Sequence, residues 1–471
     1  MNYSSQPYAK IREKLLAGKL SVASIVAGHL ELIRTHNQAL NAFLEVFEEE
    51  SMAEAVRIDA KIKAGTAGKL AGLVVGIKDL LCYADHHSYA GSKILNSFKS
   101  TFSATAVQRL INEDAIIIGR QNCDEFGMGS TNENSAFGPV LNYANKAYVA
   151  GGSSGGSAVA VQAGMCQVSL GTDTGGSIRM PASFCGVVGL KPTYGLVSRW
   201  GLIAYASSFD TIGPIANYVS DARLVLDTIK GDDGQDSTVN TEVPETKPDK
   251  MRIAYIKELV EHPSLQSEIK IAFEEQLKKL ELLGYTVEGV SFPYVDQLLP
   301  TYYVLTTAES SSNLARFDGV KFGHRTSSPV DLMQLYKRTR QEGFGAEVQR
   351  RIMLGTFVLS ADYYDAYYTK AQKVRRLIRD KTLAILSDYD FLISPTTSSS
   401  AYRLGEKTLD PIQMYLGDLF TVQANVAGIP GLSVPMGVDS MGLPIGFQLM
   451  TSPFQESKML DLGEKLTAYE A

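Results

Sequence analysis

Gly151-Gly152-Ser153-Ser154-Gly155-Gly156-Ser157 and, further on, Gly171-Thr172-Asp173-Thr174-Gly175-Gly176-Ser177-Ile178-Arg179 decide how this chain is read. In the second cluster two adjacent residues lack Cβ, so the backbone can turn tightly. The N–H groups of Thr174, Gly175, Gly176 and Ser177 can then converge on one point. Converging donors beside a hydroxyl are what an oxyanion needs, and loss of one costs about 3 kcal/mol of transition-state stabilisation. Ser177 is placed to be the nucleophile. A serine hydroxyl needs a base, and none of the six histidines falls in either cluster. Lys78 ends the apolar run Leu73-Val74-Val75-Gly76-Ile77. Burial there disfavours its ammonium form and makes a neutral amine available. Ser153 can relay a proton between Lys78 and Ser177, and its glycine neighbours tolerate unusual backbone, including a cis non-proline bond.

Around these clusters, apolar runs alternate with helical periodicity. Ser21 is a helix N-cap followed by Val22, Ile25, Val26, His29, Leu30 and Ile33 at helical spacing, and Glu48 to Lys63 reads as a second, solvated helix. Leu73–Ile77, Ala115–Gly119 and Val168–Leu170 read as buried strands, with a helix from Thr105 to Glu113 between the first two and a small-residue helix from Ala158. Residues 231–250 are polar and aperiodic, a surface loop. Arg252–Ile256, a helix opening at Ser264 and stopping at Gly284, and Val287–Phe292 resume the α/β pattern. Residues 300–385 read as mainly helical and tyrosine-rich, and Phe391–Pro395, Leu432–Pro435 and Ile445–Leu449 as further strands. The expected fold is α/β: a single large domain with a central mixed, twisted β-sheet covered by helices on both faces. Its parts are N-terminal helices at 1–65, a core at 70–230, and a continuation at 251–471. A length of 471 residues would suit about three domains, but no linker divides the chain.

Composition narrows the function. Hydrophobic residues make up 45% and charged residues 20%, ordinary for a globular protein, and the net charge of −6 lacks the basic footprint of a direct nucleic-acid binder. Cys82, Cys123, Cys166 and Cys185 form no Cys-x-x-Cys, which argues against a zinc site, a redox dithiol or a disulfide framework; no metal is expected. No apolar stretch approaches 18 residues and Met1–Gln6 lacks a signal-peptide pattern, so a cytoplasmic setting is expected.

Each motif has a plainer reading. Gly-Gly-Ser clusters are commonly turns or linkers. A phosphate cradle would end in Gly-Lys-Ser/Thr, which is absent. Gly152-Ser153-Ser154-Gly155-Gly156 fits the Gly-x-Ser-x-Gly nucleophile elbow, but Asn142–Lys146 ahead of it is polar, not a strand, and the elbow leaves Thr172–Arg179 unexplained. Asp173 reads as the carboxylate that orients the turn, and Arg179 as a structural partner. The combination, not any single member, favours acyl transfer.

From Lys78 through Pro214 the chain resembles the amidase signature family, carried by Gly151–Ser157 and Gly171–Arg179. The resemblance implies a triad of Lys78, Ser153 in a cis peptide and the nucleophile Ser177, with the oxyanion held by Thr174, Gly175, Gly176 and Ser177. Arg199–Asp210, Ser312–Gly319, Arg350-Arg351-Ile352 and Asn425–Gly431 look like the glutaminase (A) subunits of tRNA-dependent amidotransferases within that family. This implies a substrate clamp of Tyr302, Arg351 and Asp418, with Arg350 the competitor for Arg351. It implies glutamine or asparagine as substrate, a heterotrimer with B and C subunits, tRNA met only through B, ATP and magnesium on B, and no cofactor on this chain. Two other readings are a free-standing amidase for another small amide, which would keep the triad without the clamp, and a scaffold subunit with a dead site. Ala150 and Gly417 depart from the family's usual proline and polar residue.

Overall fold

The structure, a computed structural model, describes residues 3–240, 249–406 and 411–468. The expected loop at 231–250 is irregular over 231–240, and its stretch 241–248 lies outside the described residues. Eleven strands join one sheet: β1 (Phe43–Val46), β2 (Val74–Lys78), β3 (Ile116–Gln121), β4 (Val168–Asp173), β5 (Val188–Lys191), β6 (Thr211–Ala216), β7 (Arg252–Ile256), β8 (Thr286–Val290), β9 (Phe391–Pro395), β10 (Gly431–Val438) and β11 (Pro444–Met450). Their order is β1-β3-β2-β4-β6-β5-β10-β11-β9-β7-β8. The sheet is mixed. β2 runs parallel to both β3 and β4, while β4–β6, β6–β5, β5–β10 and β10–β11 are antiparallel.

Side chains alternate across the sheet with period two. Val75, Val168, Ile212, Ile253 and Ile393 face one core with helices Thr105–Asn112, Val219–Ile229, Ser267–Leu282 and Glu456–Ala468. The opposite face has two cores. Val74 and Ile215 pack on helices Val22–Leu40, Glu48–Ala64 and Gly155–Gln162. Ala254 and Leu392 pack on helices Val295–Asn313 and Lys370–Asp388. Both faces are thereby dry, which is why the parallel strands read as continuous apolar runs. The predicted α/β class holds. The helix expected from Ser264 begins at Ser267, and a helix at Tyr8–Leu16 and the strands β1, β5 and β6 add to the expected elements.

This topology positions the site. β2 and β4 are parallel neighbours, so Lys78 and Asp173 emerge at the same edge of the sheet, and Thr172 of β4 reaches Lys78. Among the described residues no helix is long and apolar enough to cross a membrane.

Candidate active site

Lys78 is the last residue of β2 and is fully buried. Its Nζ lies 2.8 Å from each of three hydroxyl oxygens: Ser153 Oγ, Ser154 Oγ and Thr172 Oγ1. Burial pulls the ammonium down from an ordinary 10.5 to about 8, against the opposing pull of Cys123 and the carboxylates of Asp124, Asp173 and Asp210. The three hydroxyls are not equivalent. Ser154 Oγ donates its proton to the Thr172 carbonyl at 3.1 Å, so toward Lys78 it can only accept. A neutral amine has two N–H bonds and one lone pair. With one N–H committed to Ser154, the lone pair is free to take a proton from Ser153 or Thr172.

The Gly152–Ser153 peptide is cis. Ser154 N–H donates to the Ser177 carbonyl at 3.1 Å, which ties the two serine clusters together. Ser153 is 1% exposed and Ser177 8%, so of the three expected triad members Ser177 is the one that a substrate can approach. Among the described residues Ser177 Oγ makes no hydrogen bond. The Lys78–Ser153 contact is formed, and the Ser153–Ser177 contact is open in this state.

Asp173 shapes the loop that carries Ser177. Its carboxylate accepts from the N–H groups of Gly176 (2.9 Å) and Ile178 (3.1 Å) and forms a two-pronged pair with Arg179 at 3.0 Å on each prong. Burial alone would raise this carboxyl; Arg179, Lys191 and Asn425 outweigh it and hold it down to about 2. Arg179 spends its remaining donors on the Thr421 carbonyl, Gln448 Oε1 and Asn425 Oδ1. Of the four N–H groups expected to converge, that of Gly176 is therefore taken by Asp173. Those of Thr174, Gly175 and Ser177 donate to nothing among the described residues. Three free donors remain beside the Ser177 hydroxyl.

The expected clamp residues come from three distant segments and meet next to this loop. Tyr302 is buried, and its ring crosses Gly175: a Cβ there would sit 2.4 Å from Tyr302 Oη, so only glycine permits the approach. Arg351 is buried; Nε donates to Glu347 Oε1 and Nη1 to Tyr205 Oη, both at 2.8 Å, and its guanidinium lies 5.3 to 5.7 Å from the ring centres of Tyr205, Tyr303 and Tyr415. Among the described residues Arg351 Nη2 donates to nothing. Arg350 points outward to Glu347 with 44% of its side chain exposed, which leaves Arg351 as the inward arginine. Asp418 accepts from Ser130 Oγ at 2.8 Å and from Tyr303 Oη at 2.6 Å. Burial lifts its carboxyl to about 6, and the Tyr303 and Ser130 hydrogen bonds moderate the rise. Thr421 Oγ1 lies 2.6 Å from the Gly175 carbonyl and 3.0 Å from the Asp418 carbonyl, which joins the clamp to the N–H cluster.

Several contributors were not singled out from the sequence. Ser154 and Thr172 lie inside the quoted clusters, and their hydroxyls were the signal. Tyr303, the neighbour of Tyr302, is the tyrosine that reaches Asp418. Ser130 carries no local signal at all. Among the described residues no group of three or more His, Cys, Asp or Glu side chains is arranged to hold a metal ion.

Comparison with known proteins fits this geometry. The family described as Amidase matches residues 24–460. The chain is 46% identical over 475 aligned residues to the glutamyl-tRNA(Gln) amidotransferase A subunit of Chlorobium luteolum, covering 99% of this chain and 97% of the relative. It is 48% identical over 458 residues to the protein of the same name from Thermosynechococcus vestitus, covering 96% and 95%. Among solved structures, the protein of that name from Thermotoga maritima superposes with a TM-score of 0.78 at 40% identity, covering 95% of this chain and 92% of that one. The peptide amidase of Stenotrophomonas maltophilia superposes with a TM-score of 0.83 at 29% identity, covering 98% and 96%. With a buried lysine joined to two serine clusters and relatives alike along nearly the whole chain, this protein belongs to the amidase family.

Proposed function

We propose that this chain is the glutaminase subunit of a tRNA-dependent amidotransferase, releasing ammonia from the side-chain amide of glutamine or asparagine. The observation that carries this reading is the pairing of two buried opposite charges, Arg351 with a free Nη2 and Asp418, around Tyr302 beside the free N–H groups. A simple amide has no use for such a clamp. A free amino acid presents an α-carboxylate that a guanidinium can bind and an α-ammonium that a carboxylate can hold. The names of the relatives, A subunits of glutamyl-tRNA(Gln) amidotransferases, support a role within such a complex.

In this reading Ser177 Oγ attacks the amide carbon, and the N–H groups of Thr174, Gly175 and Ser177 receive the developing oxyanion. Substrate binding closes the open contact between the Ser177 and Ser153 hydroxyls. The Ser177 proton passes to Ser153 as the Ser153 proton passes to the Lys78 lone pair. The same path returns a proton to the leaving nitrogen as the C–N bond breaks, and ammonia departs from an acyl-Ser177. Water then attacks that ester with Lys78 again taking the proton, the proton returns through Ser153 to Ser177 Oγ as the acyl–oxygen bond breaks, and glutamate (or aspartate) leaves. The steps need no cofactor on this chain. ATP and magnesium belong to a B subunit that amidates glutamyl- or aspartyl-tRNA, a C subunit joins the two into a heterotrimer, and the complex works in the cytoplasm.

The test is ammonia release by the full chain, purified with whatever chains accompany it in its own cell, from glutamine, asparagine, an aliphatic amide and an aryl amide. Preference for the amino acids and copurification of two further subunits is the expected result. Faster turnover of the simple amides would assign the chain to free-standing amidases instead.

A further inference from the structure

One loop, residues 124–134, holds the Ser153 peptide at both ends and also reaches the clamp. The Asp124 N–H donates to the Ser153 carbonyl at 3.2 Å, and the Gly152 N–H donates to the Ser130 carbonyl at 2.8 Å. The loop is itself stiffened by Asp124, whose carboxylate accepts from the N–H groups of Asn132 (2.9 Å) and Asn134 (3.0 Å). It presses closely on Gly152: a Cβ there would lie 2.0 Å from Asp124 Oδ2 and 2.8 Å from the Thr131 and Asn132 nitrogens. Ser130 is buried, and its hydroxyl turns the other way to donate to Asp418 Oδ1. One residue therefore touches the serine relay with its carbonyl and the clamp carboxylate with its side chain.

We infer that Ser130 is a positioning residue that couples occupancy of the Asp418 end of the clamp to alignment of Ser153, so that an α-ammonium group raises the rate of acylation and not only the affinity. The inference rests on the amino-acid reading of the clamp. When an ammonium group binds Asp418, the carboxylate is pinned by three partners instead of two. Ser130 Oγ is then fixed, and with it the carbonyl that receives Gly152 N–H. Side-chain motion at Asp418 becomes backbone restraint at Gly152, the residue joined by the cis peptide to Ser153, which receives the Lys78 hydrogen bond.

The experiment compares glutamine with the same amide lacking its α-amino group (the monoamide of glutaric acid), reading kcat and KM separately for the full chain. In the wild type, kcat for glutamine should exceed kcat for the deaminated amide by about tenfold or more, the worth of one hydrogen bond to a charged group. Equal kcat values with different KM values would overturn the inference without touching the proposed function. Absence of glutamine turnover would instead sink the proposed function. In Ser130→Ala the ratio of kcat for glutamine to kcat for the deaminated amide should fall toward one, and Ser130→Thr should restore it. An equal fall for both amides would mean that Ser130 only builds the loop. The wild-type comparison decides the matter even where the alanine variant does not fold.

Discussion

Replacing Thr172 by valine should lower the pH at which this enzyme becomes active. Lys78 must be neutral to accept a proton, so kcat/KM rises with pH through its titration and levels above it. With a midpoint at about 8, about a tenth of the enzyme is competent at pH 7; at the ordinary 10.5 only about one molecule in 3,000 would be. Thr172 Oγ1, 2.8 Å from Nζ, accepts from the ammonium and so stabilises the charged form. A hydrogen bond to a charged group contributes about 1.5–3 kcal/mol and one to a neutral group about 0.5–1.5, so its loss disfavours the ammonium by about 1–1.5 kcal/mol. Each 1.36 kcal/mol is one pH unit, which brings the midpoint down to about pH 7. Valine matches threonine in shape and cannot accept. The carboxylates of Asp124, Asp173 and Asp210 that also act on Lys78 are left in place.

The assay is the pH dependence of ammonia release, wild type and Thr172→Val side by side, so that the substrate's own α-ammonium titration is common to both. The height of the plateau can change for reasons of alignment, but the midpoint cannot. A midpoint that stays at the wild-type value, or moves up, would show that Lys78 is not the titrating base or that Thr172 does not accept its proton.

Ser177→Ala should abolish ammonia release while calorimetry still detects glutamine binding, and mass spectrometry should find an acyl adduct in the wild type that the variant lacks; residual ammonia release at the wild-type rate would contradict the assignment. Lys78→Met should also alter the dependence of stability on pH. The folded chain loses the Lys78 proton near pH 8 and the unfolded chain near 10.5, so below 8 both states hold it and the fold bears the cost of a buried ammonium. Urea unfolding should show wild type gaining about 3 kcal/mol on Lys78→Met between those pH values, and a flat difference would refute the burial account. Asp173→Asn strips the buried Arg179 of its counter-charge and should cost about 3–5 kcal/mol in the same assay; a loss under about 1 kcal/mol would argue that the surrounding amides suffice. Arg351→Lys should raise KM for glutamine about tenfold or more, because an ammonium lacks the planar fork that keeps Glu347 and Tyr205 while offering Nη2; an unchanged KM would remove Arg351 from the clamp.

Much of the fold was legible because parallel strands buried on both faces spell themselves out as apolar runs. β2, β3 and β4 were found that way, and with them the edge of the sheet from which Lys78 emerges. β6 escaped because Thr211-Ile212-Gly213-Pro214-Ile215-Ala216 carries a proline, which ordinarily demotes a strand to an edge. In the structure Pro214 faces Leu170 of β4. On its other side β6 pairs with β5 only at Ile215 and Ala216, so the missing N–H leaves no ladder bond broken. β1 escaped because four residues are too few for any periodicity to show. Within the site, Ser153 and Ser177 were visible since a serine–lysine mechanism calls for hydroxyls on glycine-rich turns, whereas Ser154 and Thr172, which also touch Lys78, carried no assigned role. Capture of the Gly176 N–H by Asp173 was not visible, since which N–H groups a carboxylate selects depends on turn geometry.

The clamp marks the deeper boundary between what a sequence shows and what a fold creates. Lys78, Ser153 and Ser177 fall within one continuous stretch, residues 78–177 of 471, so their spacing is a pattern. Tyr302, Arg351 and Asp418 come from helices Val295–Asn313 and Ala346–Val358 and the segment after Leu416, and become neighbours only because these pieces pack beside the loop after β4. The two halves are also built differently. The serine clusters are held by backbone hydrogen bonds and a saturated Asp173–Arg179 pair, an arrangement that admits few substitutions. The expected clamp is held by aromatic faces around one guanidinium and by the Tyr303 and Ser130 hydroxyls on Asp418, side-chain contacts rather than backbone ones. Under the proposed function, that division lets a chain superpose on a peptide amidase with a TM-score of 0.83 and still act on a free amino acid: the acyl-transfer groups sit at the end of β2, in the turn before helix Gly155–Gln162 and in the turn after β4, and substrate choice falls to side chains that arrive from elsewhere.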